Sequence, residues 1–152
     1  MIQIIKAQKT SDYHNIAQLA DIIWHEHYTP IIGANQVAYM LEKFQSASAI
    51  ESQIKLGFDY FMIIYQEKPV GYLSCKKEME ALFLSKIYIL SDYRGKDIGK
   101  TAMNFVAQKA AEMACQKISL TVNKYNTKTI NIYEKLGFLR MFGLFYLVQI
   151  DY

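Results

Sequence analysis

The chain has 152 residues, of which 52% are apolar and 20% are charged, and its net charge is +3. This length predicts one domain over residues 1–152, and the apolar content excludes a disordered chain. The charge excess is too small to predict a nucleic-acid partner, although it suits an anionic cofactor.

The cysteines and the lengths of the apolar stretches predict the cellular compartment of the protein. Cys75 and Cys115 lack the spacing of a metal site or of a disulfide framework, so we expect two free thiols and no metal. No stretch approaches the ~20 apolar residues of a membrane helix, and residues 1–10 lack a signal-peptide core. We therefore expect a cytoplasmic protein with no membrane partner.

The first third of the chain predicts one strand followed by helices. Residues 2–7 predict the strand, and residues 12–28 predict an amphipathic helix that Pro30 ends. Apolar residues at helical spacing predict a second helix around residues 37–44. A capping box that begins at Ser48 predicts a third short helix.

From residue 59 the apolar pattern changes to that of strands. Residues 60–65, 70–75 and 84–90 predict three consecutive antiparallel strands. A helix with one apolar face begins near Ile98, and the alternation in residues 118–122 predicts another strand. Because a helical crossover joins this strand to residues 84–90, we expect the two strands to run parallel.

The turn between the strand at residues 84–90 and the following helix has the composition of an anion site. Its sequence is Tyr93-Arg94-Gly95-Lys96-Asp97-Ile98-Gly99-Lys100. Glycines allow close backbone approach, basic residues supply positive charge, and a helix start presents free N–H groups. A phosphate or pyrophosphate suits this turn, but an ordinary basic crossover turn explains the same residues. Asp97 can either cap the helix or repel a phosphate.

A second cluster follows the strand at residues 118–122. Asn123 and Asn126 come directly after the strand, Tyr133 lies on the next predicted helix, and Gly137 follows that helix. Each residue also has a structural explanation: Asn126 can be an N-cap, Tyr133 has core-like spacing, and Gly137 can close a helix.

Together the two clusters resemble the GNAT superfamily of N-acetyltransferases. The acetyl-coenzyme A pyrophosphate loop of that family follows a strand and has the pattern Arg/Gln-x-x-Gly-x-Gly/Ala. Arg94 and Gly99 match this pattern, whereas the middle glycine is Asp97. The second hallmark is an asparagine-bearing strand end, a helix with a tyrosine, and then Gly-Phe. Residues 24–54 also resemble the subgroup of bacterial polyamine (spermidine/spermine) acetyltransferases.

The resemblance implies an α+β fold with αβα layers and a mixed, mostly antiparallel central sheet. Its parallel strand pair splays apart to admit the pantetheine arm of acetyl-coenzyme A, the expected cosubstrate. Ile89 is then expected to polarise the acetyl carbonyl, and Tyr133 to protonate the departing thiolate. The implied cofactor contacts are Ile87, Tyr88, Ile89, Arg94, Gly95, Lys96, Asp97, Ile98, Gly99, Lys100, Asn123, Asn126, Thr129, Tyr133 and Lys135.

The acceptor and the general base are less defined by the sequence. The resemblance implies direct attack by a primary amine of a small molecule, with a polyamine as the candidate. Lys86 lies where many relatives carry a glutamate, so a water chain or one of His25, Glu26 and His27 is the candidate base. His27 also suits a core position, and Asp21 with His25 suits a surface pair. The candidate substrate residues are Trp24, Glu26, His27 and Tyr28.

Two other functions stay open: a peptide or protein N-acetyltransferase on the same fold, and a non-catalytic acyl-coenzyme A sensor. The first requires a groove between the early helices and a C-terminal hairpin at residues 142–150. The aromatic end of the chain suits either core packing or a homodimer interface.

Overall fold

The computed structural model of the protein describes residues 1–121, 127–141 and 144–148. The strands are β1 Ile2–Lys6, β2 Phe58–Tyr65, β3 Lys68–Glu78, β4 Ala81–Ile89, β5 Lys117–Leu120, β6 Leu139–Met141 and β7 Leu144–Val148. The helices are α1 Thr10–Ile32, α2 Ala34–Phe44, α3 Ala47–Lys55, α4 Ile98–Glu112 and α5 Thr127–Lys135, with a short 3-10 turn at Ser91–Tyr93.

The described strands form one seven-stranded sheet in the order β1-β2-β3-β4-β5-β7-β6. All neighbouring pairs are antiparallel except β4 and β5, which run parallel. The predicted mixed sheet with one parallel pair is therefore confirmed. The C-terminal hairpin, β6 with β7, begins at Leu139, earlier than predicted, and residues 142, 143 and 149–152 lie outside the described part.

Helices cover both faces of the sheet, so the predicted αβα layering is confirmed. Because side chains alternate along a strand, Leu73 of β3 packs toward α4 and α5, whereas its neighbour Tyr72 packs toward α1, α2 and α3. Each face therefore has its own apolar core, centred on Leu84 and Val106 on one side and on Ile23 on the other.

Two predicted helix boundaries are wrong. Pro30 lies inside α1, which continues to Ile32, because a proline in the last turn removes only one intrahelical bond and Gly33 N–H still bonds Thr29 O at 2.9 Å. Helix α3 begins at Ala47, because the side chain of Ser46, rather than Ser48, accepts the bond from Ala49 N–H at 3.2 Å.

The hairpin strands are longer than predicted, because polar residues at their ends also pair. Strand β3 extends to Glu78, and its polar end pairs with the start of β4. Gly71 lies where β3 and β4 approach closely, since a Cβ there would be 2.3 Å from Tyr88 O. A larger residue at position 71 would therefore force the two strands apart.

The two cysteines are buried free thiols. Burial raises the pKa of the Cys75 thiol to about 12, so it stays protonated and unreactive at neutral pH. Among the described helices, none is long and apolar enough to cross a membrane. The described residues also contain no group of three or more His, Cys, Asp or Glu side chains suited to hold a metal ion.

Candidate active site

The sheet opens between its two parallel strands. Strands β4 and β5 pair only through Ala81 with Lys117, Leu82 with Ile118, and Phe83 with Ser119. Strand β4 then continues to Ile89, whereas β5 ends at Leu120, so among the described residues the second half of β4 has no strand partner on that side. This opening corresponds to the splay that the resemblance implied.

The exposed edge of β4 carries backbone groups that face the opening. Leu90 N–H bonds Val70 O at 2.9 Å, so the amide groups of Leu90 point toward β3. Because amide groups alternate along a strand, those of Ile87 and Ile89 point toward the opening. In the opening, Arg94 Nε–H donates to Ile89 O at 3.4 Å. The N–H of Ile89 has no acceptor among the described residues. An amide-bearing ligand could therefore pair along this edge.

A bulge in β4 precedes this edge. Ser74 pairs with Lys86 and Cys75 with Leu84, which leaves Ser85 without a partner on β3. Such an extra residue increases local twist and redirects the strand. The bulge lies between the part of β4 that pairs with β5 and the part that does not, so it helps the strands to separate.

The basic turn follows directly at the end of β4. Helix α4 starts at Ile98, and the N–H groups of Ile98, Gly99 and Lys100 have no acceptor within the helix, whereas Thr101 N–H bonds Asp97 O at 3.0 Å. Arg94, Lys96 and Lys100 are exposed around this helix start. Free N–H groups, the positive end of the helix and three basic side chains together form an anion site.

Gly99 lies at the start of α4, where a small residue leaves room for a ligand. A Cβ added at Gly99 would contact only Ile89 Cδ1, at an ordinary 3.8 Å. The packing of the protein therefore does not require glycine at this position. Close approach of a ligand to the start of α4 does require it.

Asp97 occupies the position of the middle glycine in the family's loop pattern. The backbone conformation at this position explains why relatives carry glycine there. Its φ of 60° and ψ of 12° are left-handed, a conformation that glycine adopts freely and that aspartate tolerates. The Asp97 side chain makes no capping bond to α4. The option that Asp97 caps the helix is therefore wrong, because its left-handed backbone is not that of an ordinary N-cap.

Tyr133 lies on α5 and is 8% exposed, with its ring against the edge of Phe138 at 5.4 Å. Burial, together with a smaller electrostatic effect of Tyr28, raises the pKa of Tyr133 to about 12. The hydroxyl is thus protonated at neutral pH and can donate a hydrogen bond. Among the described residues no partner for this buried hydroxyl is present, which is an unusual situation in a native core.

Three aromatic residues close the end of β4 on the side of α1. The rings of Trp24 and Tyr28 lie 5.4 Å apart, and those of Trp24 and Tyr88 lie 5.8 Å apart. The hydroxyl groups of Tyr28 and Tyr88 interact with each other, and burial raises both pKa values. We call Trp24, Tyr28 and Tyr88 the aromatic wall.

The sequence pattern missed how this wall is assembled. Tyr88 was expected only as a cofactor contact, but its side chain packs with the α1 core, on the opposite face from Ile87 and Ile89. The alternation of side chains along residues 84–90 was the signal that could have shown this.

The polar residues near the end of α1 have identified contacts. Glu26 accepts bonds from Ser91 N–H at 3.2 Å and from Ser91 Oγ–H at 3.0 Å, which ties α1 to the end of β4. His25 lies 3.8 Å from Asp21, which confirms the expected surface pair. The ring of His27 packs against the edge of Tyr28 at 4.6 Å.

The remaining expected cofactor contacts lie in the turn before α4, on α5, or outside the described part of the chain. Gly95 is exposed with a φ of 81°, and the side chain of Ile98 is buried, so Ile98 can offer only its N–H. Lys135 is exposed in the last turn of α5. Asn123 and Asn126 lie outside the described residues, as does the side chain of Thr129.

The fold and the site therefore combine an open strand edge with an anion site at a basic helix start. A model of the GNAT acetyltransferase family matches residues 14–138. The chain therefore belongs to this family of acyltransferases, as its two motifs predicted.

Curated relatives match only part of the chain. A mouse thialysine N-epsilon-acetyltransferase is 36% identical over 56 residues, which cover 37% of this chain and 33% of that protein. The N-alpha-acetyltransferase 30 of Saccharomyces cerevisiae is 28% identical over 82 residues, which cover 51% of this chain and 47% of that protein. The matched segments thus span about a third to a half of these relatives.

Solved structures match the whole fold. The PaiA N-acetyltransferase of Thermoplasma acidophilum, in complex with coenzyme A, has a TM-score of 0.80 at 19% identity and covers 96% of both chains. The ribosomal-protein-S18-alanine N-acetyltransferase of Escherichia coli has a TM-score of 0.69 at 17% identity and covers 99% of this chain and 96% of that one. At these identities the likeness shows the fold alone.

Proposed function

We propose that the protein transfers the acetyl group of acetyl-coenzyme A to a primary amine of a small molecule. The observation that carries this proposal is the unpaired edge of β4 directly beside the free N–H groups at the start of α4. One extended ligand with amides at one end and a pyrophosphate at the other matches both features.

The turn before α4 holds the phosphates in this proposal. The N–H groups of Ile98, Gly99 and Lys100 bind pyrophosphate oxygens, while Arg94 and Lys96 supply positive charge. Arg94 is already oriented by its bond to Ile89 O, so it contributes with little further ordering. Asp97 opposes binding weakly, since its exposed carboxylate lies at the same helix start.

Ile89 and Tyr133 act on the thioester. The free N–H of Ile89 donates to the acetyl carbonyl and stabilises the negative charge that develops when the amine attacks. The amine attacks the carbonyl carbon, the bond from carbon to sulfur breaks, and the hydroxyl of Tyr133 donates to the departing sulfur. A buried hydroxyl without a described protein partner supports this role, because the substrate sulfur would supply the missing acceptor.

No residue is assigned as the general base. Strand β4 carries no carboxylate, and Glu26 is bonded to Ser91. We propose that water takes the proton that the amine loses, which favours amines with a substantial neutral fraction at working pH.

A small-molecule acceptor is supported by the similarity to the mouse thialysine N-epsilon-acetyltransferase. A polyamine acceptor remains the finer proposal, together with a cytoplasmic location. The second candidate is N-terminal acetylation of a peptide, which the longer match to the yeast N-alpha-acetyltransferase favours. The oligomeric state, including a homodimer, stays a prediction.

Released thiol reports the reaction directly. The protein should be incubated with acetyl-coenzyme A and each of a panel of polyamines, lysine analogues, amino sugars and short peptides. Thiol release above the background hydrolysis rate with a small amine supports the proposal. Release only with peptides supports the second candidate, and binding of acetyl-coenzyme A without release from any acceptor supports a sensor.

A further inference from the structure

A continuous chain of hydrogen bonds, buried from Trp24 to Tyr60 and exposed at Gln53, runs behind the aromatic wall. It connects α1, the sheet and the α2–α3 junction, and both of its glutamines also donate to the backbone carbonyl of Phe44. The bonds are Trp24 Nε1–H to Tyr72 Oη at 2.9 Å, Tyr72 Oη–H to Gln45 Oε1 at 2.6 Å, Gln45 Nε2–H to Tyr60 Oη at 3.2 Å, Tyr60 Oη–H to Gln53 Oε1 at 2.6 Å, and Gln53 Nε2–H to Phe44 O at 2.8 Å.

The direction of this chain is fixed by chemistry. The carbonyl of Phe44 can only accept, so Gln45 at 2.6 Å and Gln53 at 2.8 Å both direct their Nε2–H groups to it. Their Oε1 atoms must then accept, from the hydroxyl of Tyr72 and from that of Tyr60, and the indole N–H of Trp24 can only donate to Tyr72. Such a one-way, fully paired network has a single arrangement, which makes it a rigid support.

Tyr72 is the member of this network that contacts the aromatic wall from behind. It is only 1% exposed, so it cannot touch a ligand itself. Its ring stacks on Tyr88 at 5.0 Å, and its hydroxyl holds the indole of Trp24. Two of the three wall residues are therefore positioned by one side chain.

The wall faces the position of the attacking amine, if the proposed function is correct. Tyr88 directly precedes Ile89, whose N–H is assigned to the acetyl carbonyl, and its side chain points to the α1 side of the sheet. Tyr28 and Tyr88 are partly exposed residues, whereas Tyr72 behind them is buried. The coenzyme A edge of β4, through Ile87 and Ile89, lies on a different side of the strand.

We propose that Tyr72 is a positioning residue that sets the affinity for the amine acceptor by holding Trp24 and Tyr88 in place. This inference rests on the proposed function. It assigns the buried network to the acceptor side of the site and predicts that the network leaves the coenzyme A side unaffected.

Tyr72→Phe tests the inference, and Tyr60→Phe is its matched control. Each variant removes one buried hydroxyl from the same network, and both should lower the melting temperature by about 3 to 10 °C. Only Tyr72 contacts the wall through both its ring and its hydroxyl. We expect Tyr72→Phe to raise the KM for the acceptor by roughly three- to tenfold, with kcat and the KM for acetyl-coenzyme A nearly unchanged. Tyr60→Phe should leave all three constants near wild type.

Trp24 fluorescence gives a second measurement, because Trp24 is the only tryptophan of the chain. Its emission should shift in Tyr72→Phe and stay unchanged in Tyr60→Phe. If Tyr72→Phe does not fold, Trp24→Phe removes the same bond more mildly, since Tyr72 can still donate to Gln45, and should raise the acceptor KM.

Equal effects of Tyr72→Phe and Tyr60→Phe on the acceptor KM would overturn the inference, as would a Tyr72→Phe effect confined to melting temperature. A wild-type protein that binds no acetyl-coenzyme A and releases no thiol would instead overturn the proposed function, and this inference with it.

Discussion

Tyr133→Phe is the substitution that most sharply separates a catalytic role from a structural one. Only the hydroxyl is lost, and the ring keeps its edge contact with Phe138. The Tyr133 hydroxyl is buried and has no partner among the described residues, so removing it should leave the melting temperature unchanged or slightly raised.

The expected loss of turnover follows from the pKa of Tyr133. That pKa is about 12, against ~8.5 for an ordinary thiol, so complete proton transfer to the thiolate is uphill by ~3.5 pKa units, or ~5 kcal/mol. Tyr133 should therefore stabilise the leaving sulfur mainly as a hydrogen-bond donor. Such a bond to a charged group contributes about 1.5–3 kcal/mol, which corresponds to a roughly ten- to hundredfold lower kcat in Tyr133→Phe.

The assay is released thiol at saturating acetyl-coenzyme A, together with a melting curve of the same sample. Phe138→Leu is the control, because it loosens the packing around Tyr133 and keeps the hydroxyl. We expect Phe138→Leu to lower the melting temperature with a much smaller loss of kcat. Normal turnover in a folded Tyr133→Phe protein would refute the catalytic assignment.

Three further predictions concern the loop, the alkaline range and the acceptor. Asp97→Gly should raise the free energy of unfolding by up to ~1 kcal/mol, since it relieves a left-handed aspartate, and should tighten coenzyme A binding in a calorimetric titration; weaker binding would show that the carboxylate assists the site. Burial raises the pKa of the Cys75 thiol from its ordinary 9.0 to about 12, so the unfolded chain loses this proton first. The stabilisation from the protonated thiol is therefore complete below pH ~9 and is lost between pH ~9 and ~12. Cys75→Ala should flatten the fall in urea-unfolding free energy over that range, and an unaltered slope would contradict the assignment. A polyamine acceptor should show a KM that rises with ionic strength, whereas a constant KM would argue against charge steering.

The sequence was most informative where function depends on local chain geometry. The turn around Arg94 and Gly99 could be recognised because an anion site at a helix start is built from consecutive residues. The parallel pairing of β4 with β5 could also be predicted, since a helical crossover fixes strand direction. The prediction that Pro30 ends the first helix was wrong, because Pro30 lies in the last turn of α1. The cost of a proline depends on its position in the helix, which the proline alone does not reveal.

The parts that could not be predicted depend on contacts between distant residues. The bond between Tyr72 and Gln45 joins residues 27 positions apart, and the bond between Trp24 and Tyr72 joins residues 48 apart. No local pattern distinguishes these tyrosines from ordinary strand aromatics. The role of Glu26 was likewise hidden, because its partner Ser91 lies 65 positions away.

Binding of acetyl-coenzyme A to wild-type, Gly99→Ala and Gly99→Leu proteins, measured by isothermal titration calorimetry, tests the central claim most directly. Because a Cβ at Gly99 would contact only Ile89 Cδ1 at 3.8 Å, Gly99→Ala should fold with a melting temperature at or above that of wild type, and a melting curve of Gly99→Leu establishes that this variant is folded. We predict that wild type and Gly99→Ala bind the ligand and that Gly99→Leu does not. Absence of binding to wild type, or equal binding to all three proteins, would contradict the assignment of this helix start as the coenzyme A site.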